Sequence, residues 1–240
     1  MILYLTSSPC VIHADRPLLT PENDFLWQLH ADLPAHPKCV YIASNPDAPE
    51  RNAHYSRDMV DAFAEAGMTI QELRILQRNT MDQAEQWVDW CDLIILAGGH
   101  VPTQNAFFKE MKLNKILSGY HGVIMGISAG TMNCAAIVYA QPEMPGESMD
   151  ANYKRFLSGL GLTYLNILPH YQQVKDDILD GSRLFEDITF ADSFGHSFLV
   201  LPDGSYVRVK DGRSVLYGEA YLLEDGKIRQ ICANNNKLIL

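Results

Sequence analysis

The segment Gly126-Ile127-Ser128-Ala129-Gly130 divides two kinds of sequence and constrains the fold more than any other stretch. Before it, Val123-Ile124-Met125 is an apolar run that reads as a buried strand. After it, Thr131-Met132-Asn133-Cys134-Ala135-Ala136-Ile137-Val138 is small and apolar and reads as a buried helix. A strand, a glycine-flanked turn and a helix are the setting in which a serine is presented as a nucleophile. Neighbours without bulk let the backbone fold tightly, so that the hydroxyl of Ser128 can protrude. The N–H of Ala129 then falls at a helix N-terminus, where free donors and the helix dipole favour a developing oxyanion. The plainer alternative is a tight βα turn whose serine caps the helix.

The rest of the chain is compatible with an enzyme of this kind. At 240 residues with a hydrophobic fraction of 47%, it can build a sizeable core, and the expectation is a single α/β domain over residues 1–240. The net charge of −10 comes without any Lys/Arg block longer than two residues. Nucleic acid and anionic membrane would each want a basic face, so neither is expected as a partner. The five cysteines are widely spaced, without a Cys-x-x-Cys, and most lie in apolar stretches. They read as buried thiols of a reducing compartment. The chain opens directly on an apolar strand, Ile2–Leu5, and has no run long enough to span a membrane, so a cytoplasmic, soluble protein is expected. Assembly as a homodimer stays open.

Strand and helix signals alternate through the first half. Strands are expected at Ile2–Leu5, Cys39–Ala43, Met68–Leu76 and Leu93–Ala97, with a fifth leading into Ser128. Helices are expected at Pro21–Leu33, Ala53–Ala66, Met81–Trp90 and Thr103–Ser118, from apolar residues at helical spacing. Repeated β–α units give an open, mostly parallel sheet with helices on both faces. The second half reads as a helical piece at Asn152–Leu157, a strand at Leu162–Leu168, a helix at Asp176–Phe185, and then short strands separated by Asp203-Gly204, Asp211-Gly212 and Asp225-Gly226. The last group suggests a hairpin or meander at the sheet edge.

In an open parallel sheet, ligands bind outside the carboxyl ends of the strands. Two glycine-marked strand ends therefore belong together, Gly98-Gly99-His100 and the Ser128 turn. This pairing suggests an oxyanion hole formed by the N–H groups of Gly99 and Ala129; on its own, Gly98-Gly99 reads as a simple turn. A serine also needs a base, and the base an orienting acid. His170 lies just beyond the apolar strand Asn166-Ile167-Leu168, but chain position alone leaves His100, His121 and His196 open. Asp203, in Leu201-Pro202-Asp203-Gly204, lies at another strand end, where Asp-Gly is equally a common turn signal.

Taken in order, the elbow Gly126–Gly130, the Gly98-Gly99 loop, Pro169-His170 and Pro202-Asp203-Gly204 resemble the dipeptidase E family of serine peptidases, which includes aspartyl dipeptidases and the related cyanophycinases. That family is similar in fold to the class I glutamine amidotransferases, with serine in place of cysteine at the elbow. The resemblance implies a flavodoxin-like three-layer fold, a Ser128–His170–Asp203 triad, and no cofactor or metal. It also implies a small peptide or isopeptide as substrate, with substrate contacts from His100, Glu143 and Arg183. Glu143-Met144-Pro145 matches an Asp-Met-Pro of the family. Two places depart from the pattern. Gly99-His100-Val101-Pro102 stands where the family has Gly-Gly-Asn-Thr. The segment around Arg183 does not match the one that carries the aspartyl dipeptidases' substrate-binding arginine, and a surface arginine near a helix end is the competing reading.

Two other functions fit parts of the pattern. An esterase of the α/β-hydrolase class also uses an elbow serine, but its triad runs serine, acid, histidine, an order that Asp192 and His196 would satisfy. A sensor or binding protein could keep the elbow without turnover.

Overall fold

The computed structural model describes residues 1–13 and 16–240. The strands of its two main sheets are, in chain order, β1 (Ile2–Thr6), β2 (Lys38–Ile42), β3 (Glu72–Leu76), β4 (Leu93–Leu96), β5 (Val123–Ile127), β6 (Asn166–Leu168), β7 (Ser197–Val200), β8 (Tyr206–Lys210), β9 (Arg213–Tyr217), β10 (Ala220–Glu224), β11 (Lys227–Cys232) and β12 (Lys237–Ile239). The helices that matter below are α1 (Phe25–Asp32), α2 (Pro49–Glu65), α3 (Ala84–Trp90), α4 (Val101–Glu110) and α5 (Ala129–Met132).

The larger sheet has eight strands in the order β12-β9-β8-β1-β5-β4-β2-β3. From β1 to β3 the pairings are parallel, and β8, β9 and β12 extend the sheet antiparallel from the other side of β1. The central strands are buried on both faces and alternate between two cores, as a pleated strand must. Leu3, Leu5, Val40, Ile42, Ile94 and Leu96 face one core, together with Val88 of α3 and Phe107 of α4. Tyr4, Cys39, Tyr41, Leu93, Ile95 and Met125 face the other, against Phe25 of α1 and Phe63 of α2. Burying each large apolar side chain in this way contributes about 1.5–3 kcal/mol. A second, four-stranded sheet runs β6-β7-β10-β11. It packs Leu168, Phe198, Val200 and Leu223 against Ala129 and Met132 of the elbow helix. The two sheets thus meet around the turn at Ser128. Among the described residues, no helix is long and apolar enough to cross a membrane.

The architecture agrees with the α/β expectation, and the departures from it have identifiable causes. The apolar run after Ser128 forms only the one-turn helix α5, then a strand, Ile137–Tyr139, paired with Phe156–Ser158. The buried amide of Asn133 donates to the carbonyl of Val101 and to Gln104 and accepts from Asn105, which fixes the chain where the helix stops. The expected helix at Asn152–Leu157 is accordingly replaced by the strand that completes this pair. The expected helix at Asp176–Phe185 is instead a hairpin of Ile178–Leu179 and Ser182–Arg183, followed by a π-helical turn at Leu184–Thr189. Asp180 and Gly181 at its tip both have positive φ, 52° and 85°, the conformation of a tight hairpin turn rather than a helix. The C-terminal meander divides between the sheets. The β8–β9 hairpin extends the large sheet and the β10–β11 hairpin belongs to the small one.

Candidate active site

Ser128 follows β5 with φ 50° and ψ −112°, a sparsely allowed conformation for a residue with a Cβ. Such a backbone costs on the order of 1–3 kcal/mol and persists only where its surroundings enforce it. The end of β1 supplies that enforcement. The Ser128 N–H donates to the carbonyls of Thr6 at 3.2 Å and Ser7 at 3.0 Å. The Thr6 hydroxyl donates to the Gly126 carbonyl, and the Thr131 hydroxyl donates back to the Thr6 carbonyl, both at 2.7 Å. Gly130 is required sterically, because a Cβ there would collide with the carbonyl of Leu96 at the end of β4.

A second strained residue lies beside it. His170, just past β6, is left-handed at φ 59° and ψ 31°. Its backbone N–H donates to Ser7 Oγ at 2.7 Å, and the Ser7 hydroxyl donates in turn to Asp203 Oδ1 at 2.6 Å. The same Oδ1 lies 2.7 Å from His170 Nδ1. Gln173 donates to Asp203 Oδ2 at 2.8 Å, and the Asp203 N–H donates to the Gln172 side-chain oxygen at 3.0 Å. Burial alone would raise the Asp203 carboxyl. The hydrogen bond and charge of His170, with the bond from Ser7, overcome burial and hold it below its ordinary value. Asp203 is thus an anion at neutral pH, held by three side chains at once.

Ser128, His170, Gly99 and Glu143 line two adjoining cavities, an inner one of about 360 Å³ and an outer one of about 690 Å³. No hydrogen bond joins the Ser128 hydroxyl to the His170 ring, as is common before substrate binds. The outer cavity is built from Ser8 after β1, Ser44 and Asn45 after β2, Gly98–His100 after β4, Ile127 at the end of β5 and Ser128 just past it. It therefore opens over the boundary between β2 and β4, from which chain connections leave in opposite directions, β2 to β3 on one side and β4 to β5 on the other. Gly99, at φ 148°, is held close to Ser44, and a Cβ there would strike the Ser44 hydroxyl. Ala129 is buried directly behind Ser128 at the start of α5.

The histidines left open by sequence separate clearly. His100 lines the outer cavity, but both of its ring nitrogens are engaged, Nδ1 with Thr103 Oγ1 at 2.7 Å and Nε2 with Glu147 Oε1 at 2.8 Å. His121 precedes β5, at the opposite end of that strand from Ser128. His196 stacks on Phe156 with ring centroids 4.0 Å apart, and Asp192 accepts the Tyr139 hydroxyl, so the pair that an α/β-hydrolase order would need serves packing instead. Only His170 combines a carboxylate on one nitrogen with a place in both cavities.

Of the substrate-contact candidates, Glu143 lines both cavities, and burial pushes its carboxyl above the ordinary value. Arg183 does not join them. Its guanidinium is exposed and forks onto Asp187 at 2.6 and 3.0 Å, the surface arrangement that a short hairpin leading into a helical turn produces. Sequence reasoning missed Ser7, Gln172 and Gln173, which hold Asp203, and Glu147, whose Oε2 accepts the N–H groups of Glu143 and Met144 at 2.9 Å. Ser7 had a usable signal, since it follows a buried strand at the same carboxyl edge as Gly98 and Ser128. Among the described residues no cluster of His, Cys, Asp and Glu is arranged to hold a metal ion.

Comparison with known proteins agrees with this architecture. The crystal structure of a peptidase from an acI-B1 actinobacterium superposes with a TM-score of 0.64 at 16% identity, covering 100% of this chain and 96% of that one. A candidate peptidase E protein from Listeria monocytogenes EGD-e gives 0.53 at 16% identity, covering 96% and 97%. At this identity the likeness concerns the fold. No curated protein matches the chain in sequence. The model of peptidase family S51 matches residues 13–217, most of the chain, and with it the elbow, the Pro169-His170 turn and Asp203. The chain belongs to peptidase family S51, the dipeptidase E family of serine peptidases.

Proposed function

We propose that the protein hydrolyses a small peptide or isopeptide through a Ser128–His170–Asp203 triad and an acyl-enzyme. One observation carries this reading. A serine in a strained elbow shares its cavities with a histidine whose far nitrogen is bonded to a half-buried carboxylate at 2.7 Å. Ser128 Oγ attacks the acyl carbon while His170 Nε2 takes its proton. Asp203 keeps Nδ1 protonated and stabilises the imidazolium. The tetrahedral oxyanion is met by the N–H groups of Gly99 and Ala129. The C–N bond then breaks, and the proton on Nε2 passes to the leaving amine. Water, deprotonated by the same nitrogen, releases the acyl group and restores the serine.

A fluorophosphonate probe tests the nucleophile directly. Native protein is expected to be labelled at Ser128, as read by peptide mass mapping, and Ser128→Ala is expected to be unlabelled. Labelling elsewhere, or none on the native protein, would support a binding protein that keeps the elbow without turnover.

Ser7 has a positioning role in this scheme, because one hydroxyl fixes both the His170 backbone and the Asp203 carboxylate. A hydrogen bond to a charged group contributes about 1.5–3 kcal/mol. Ser7→Ala is therefore expected to lower kcat about 10- to 100-fold with KM within about twofold. Steady-state kinetics check this, and an equal loss in KM would place Ser7 in substrate binding instead.

A further inference from the structure

The two cavities that meet at Ser128 differ in chemistry. The inner one has an apolar wall of Val101, Met132, Val174, Ile178, Leu179 and Leu184. Its carboxylates are those of Glu143 and Asp177, and neither lysine nor arginine lines it. The outer one is lined by Ser44, Asn45 and Tyr55 and by Arg51, the one arginine of either cavity. Glu143 stands where the two join.

We infer that the substrate is an unblocked, dipeptide-sized molecule with an apolar N-terminal residue, its side chain in the inner cavity, its ammonium on Glu143 and its free carboxylate toward Arg51. The inference rests on the reading of Ser128 as nucleophile and deepens it. An acidic side chain in the inner cavity would face two carboxylates with no cation to pair it, and would lose its water as well. An apolar side chain meets neither cost and gains the wall. Side chain and ammonium branch from the same Cα of an N-terminal residue, so an apolar pocket with a carboxylate at its mouth fits both groups together. A residue carrying that ammonium puts its own carbonyl at the scissile position, and the rest of the molecule extends into the outer cavity. There a guanidinium is the natural partner of a terminal carboxylate.

The test uses kcat/KM of the full chain for Leu-Ala, Asp-Ala, N-acetyl-Leu-Ala and Leu-Ala amide, beside fluorophosphonate labelling. Leu-Ala is expected to exceed Asp-Ala and the acetylated peptide by about 100-fold or more. Ile178 is 71% exposed, so Ile178→Arg leaves the core intact while placing a cation at the inner wall. This variant is expected to narrow the Leu-over-Asp preference at least about 10-fold. Arg51→Met is expected to raise KM for Leu-Ala about 10-fold and leave Leu-Ala amide unchanged. Preference for Asp-Ala, no effect of Ile178→Arg, or equal effects of Arg51→Met on the two C-terminal forms would overturn the assignment. Labelling at Ser128 without cleavage of any member of the panel overturns this inference alone. Absence of both labelling and cleavage overturns the peptidase reading with it.

Discussion

His170→Ala should lower kcat by about 10⁶-fold, Ser128→Ala by a similar factor, and the double variant by no more than either alone. The expectation follows from how the two side chains work. The serine hydroxyl is a poor nucleophile until a base removes its proton, and the base has no other task in the attack. Removing either group therefore removes the same step, and the second removal finds nothing left to lose. Asp203→Asn should cost less, about 10⁴-fold, because the imidazole remains but its tautomer is no longer imposed. Single-turnover rates with the best substrate of the dipeptide panel would measure all four variants. Multiplying losses in the double variant would mean that Ser128 and His170 act independently, and the triad reading would fail.

The second large effect concerns stability. Asp32, at the end of α1, has a side chain with no exposed surface, and it accepts from the Tyr4 hydroxyl, from Arg208 at 2.6 and 2.7 Å and from Lys210 at 2.9 Å. Removing one partner of a buried ionic group leaves the others uncompensated and costs about 3–5 kcal/mol. Asp32→Ala should thus lower Tm by roughly 6–20 °C at neutral pH for a chain of this size. Burial raises the Asp32 carboxyl, but the bonds from Arg208, Tyr4 and Lys210 outweigh it and set the folded value below the ordinary one. Its contribution is accordingly present above the ordinary carboxylate range and lost as pH falls through the lower folded value. The gap between wild type and variant should close in acid, as urea titrations across that range would read. A gap that widened in acid would contradict the assignment.

Much of this was legible in the letters of the chain because local rules and tertiary structure agree there. The parallel strands β1, β2, β4 and β5 are near-continuous apolar runs, and the elbow needs small residues on both sides of Ser128, so apolar patterning and glycine placement carried the fold and the nucleophile. His170 and Asp203 follow apolar strands and came into view only when motif order was added. The stretch from Thr131 to Thr189 resisted reading for a different reason. Its elements are short, and long-range contacts fix them, such as the Asn133 amide on α4 and the Asp180 carboxylate that accepts the N–H groups of Gly146 and Ser148. No window of sequence contains both ends of such a bond. Ser7 was missed likewise, since its partners lie 163 and 196 residues away.

Those same bonds bear on how quickly the site can work. Glu143 and Met144 line the cavities, and the segment they begin, through Ser148, is tied down by Glu147 to His100 and to its own amides, and by Asp180 from the neighbouring hairpin. Ordering a free loop costs about 1–2 kcal/mol of backbone entropy for each residue fixed. Here that cost is met when the chain folds, not each time a substrate arrives. A ligand as small as a dipeptide has few contacts with which to offset such a charge, so a wall held rigid in advance lets weak binding energy go to the reacting carbonyl.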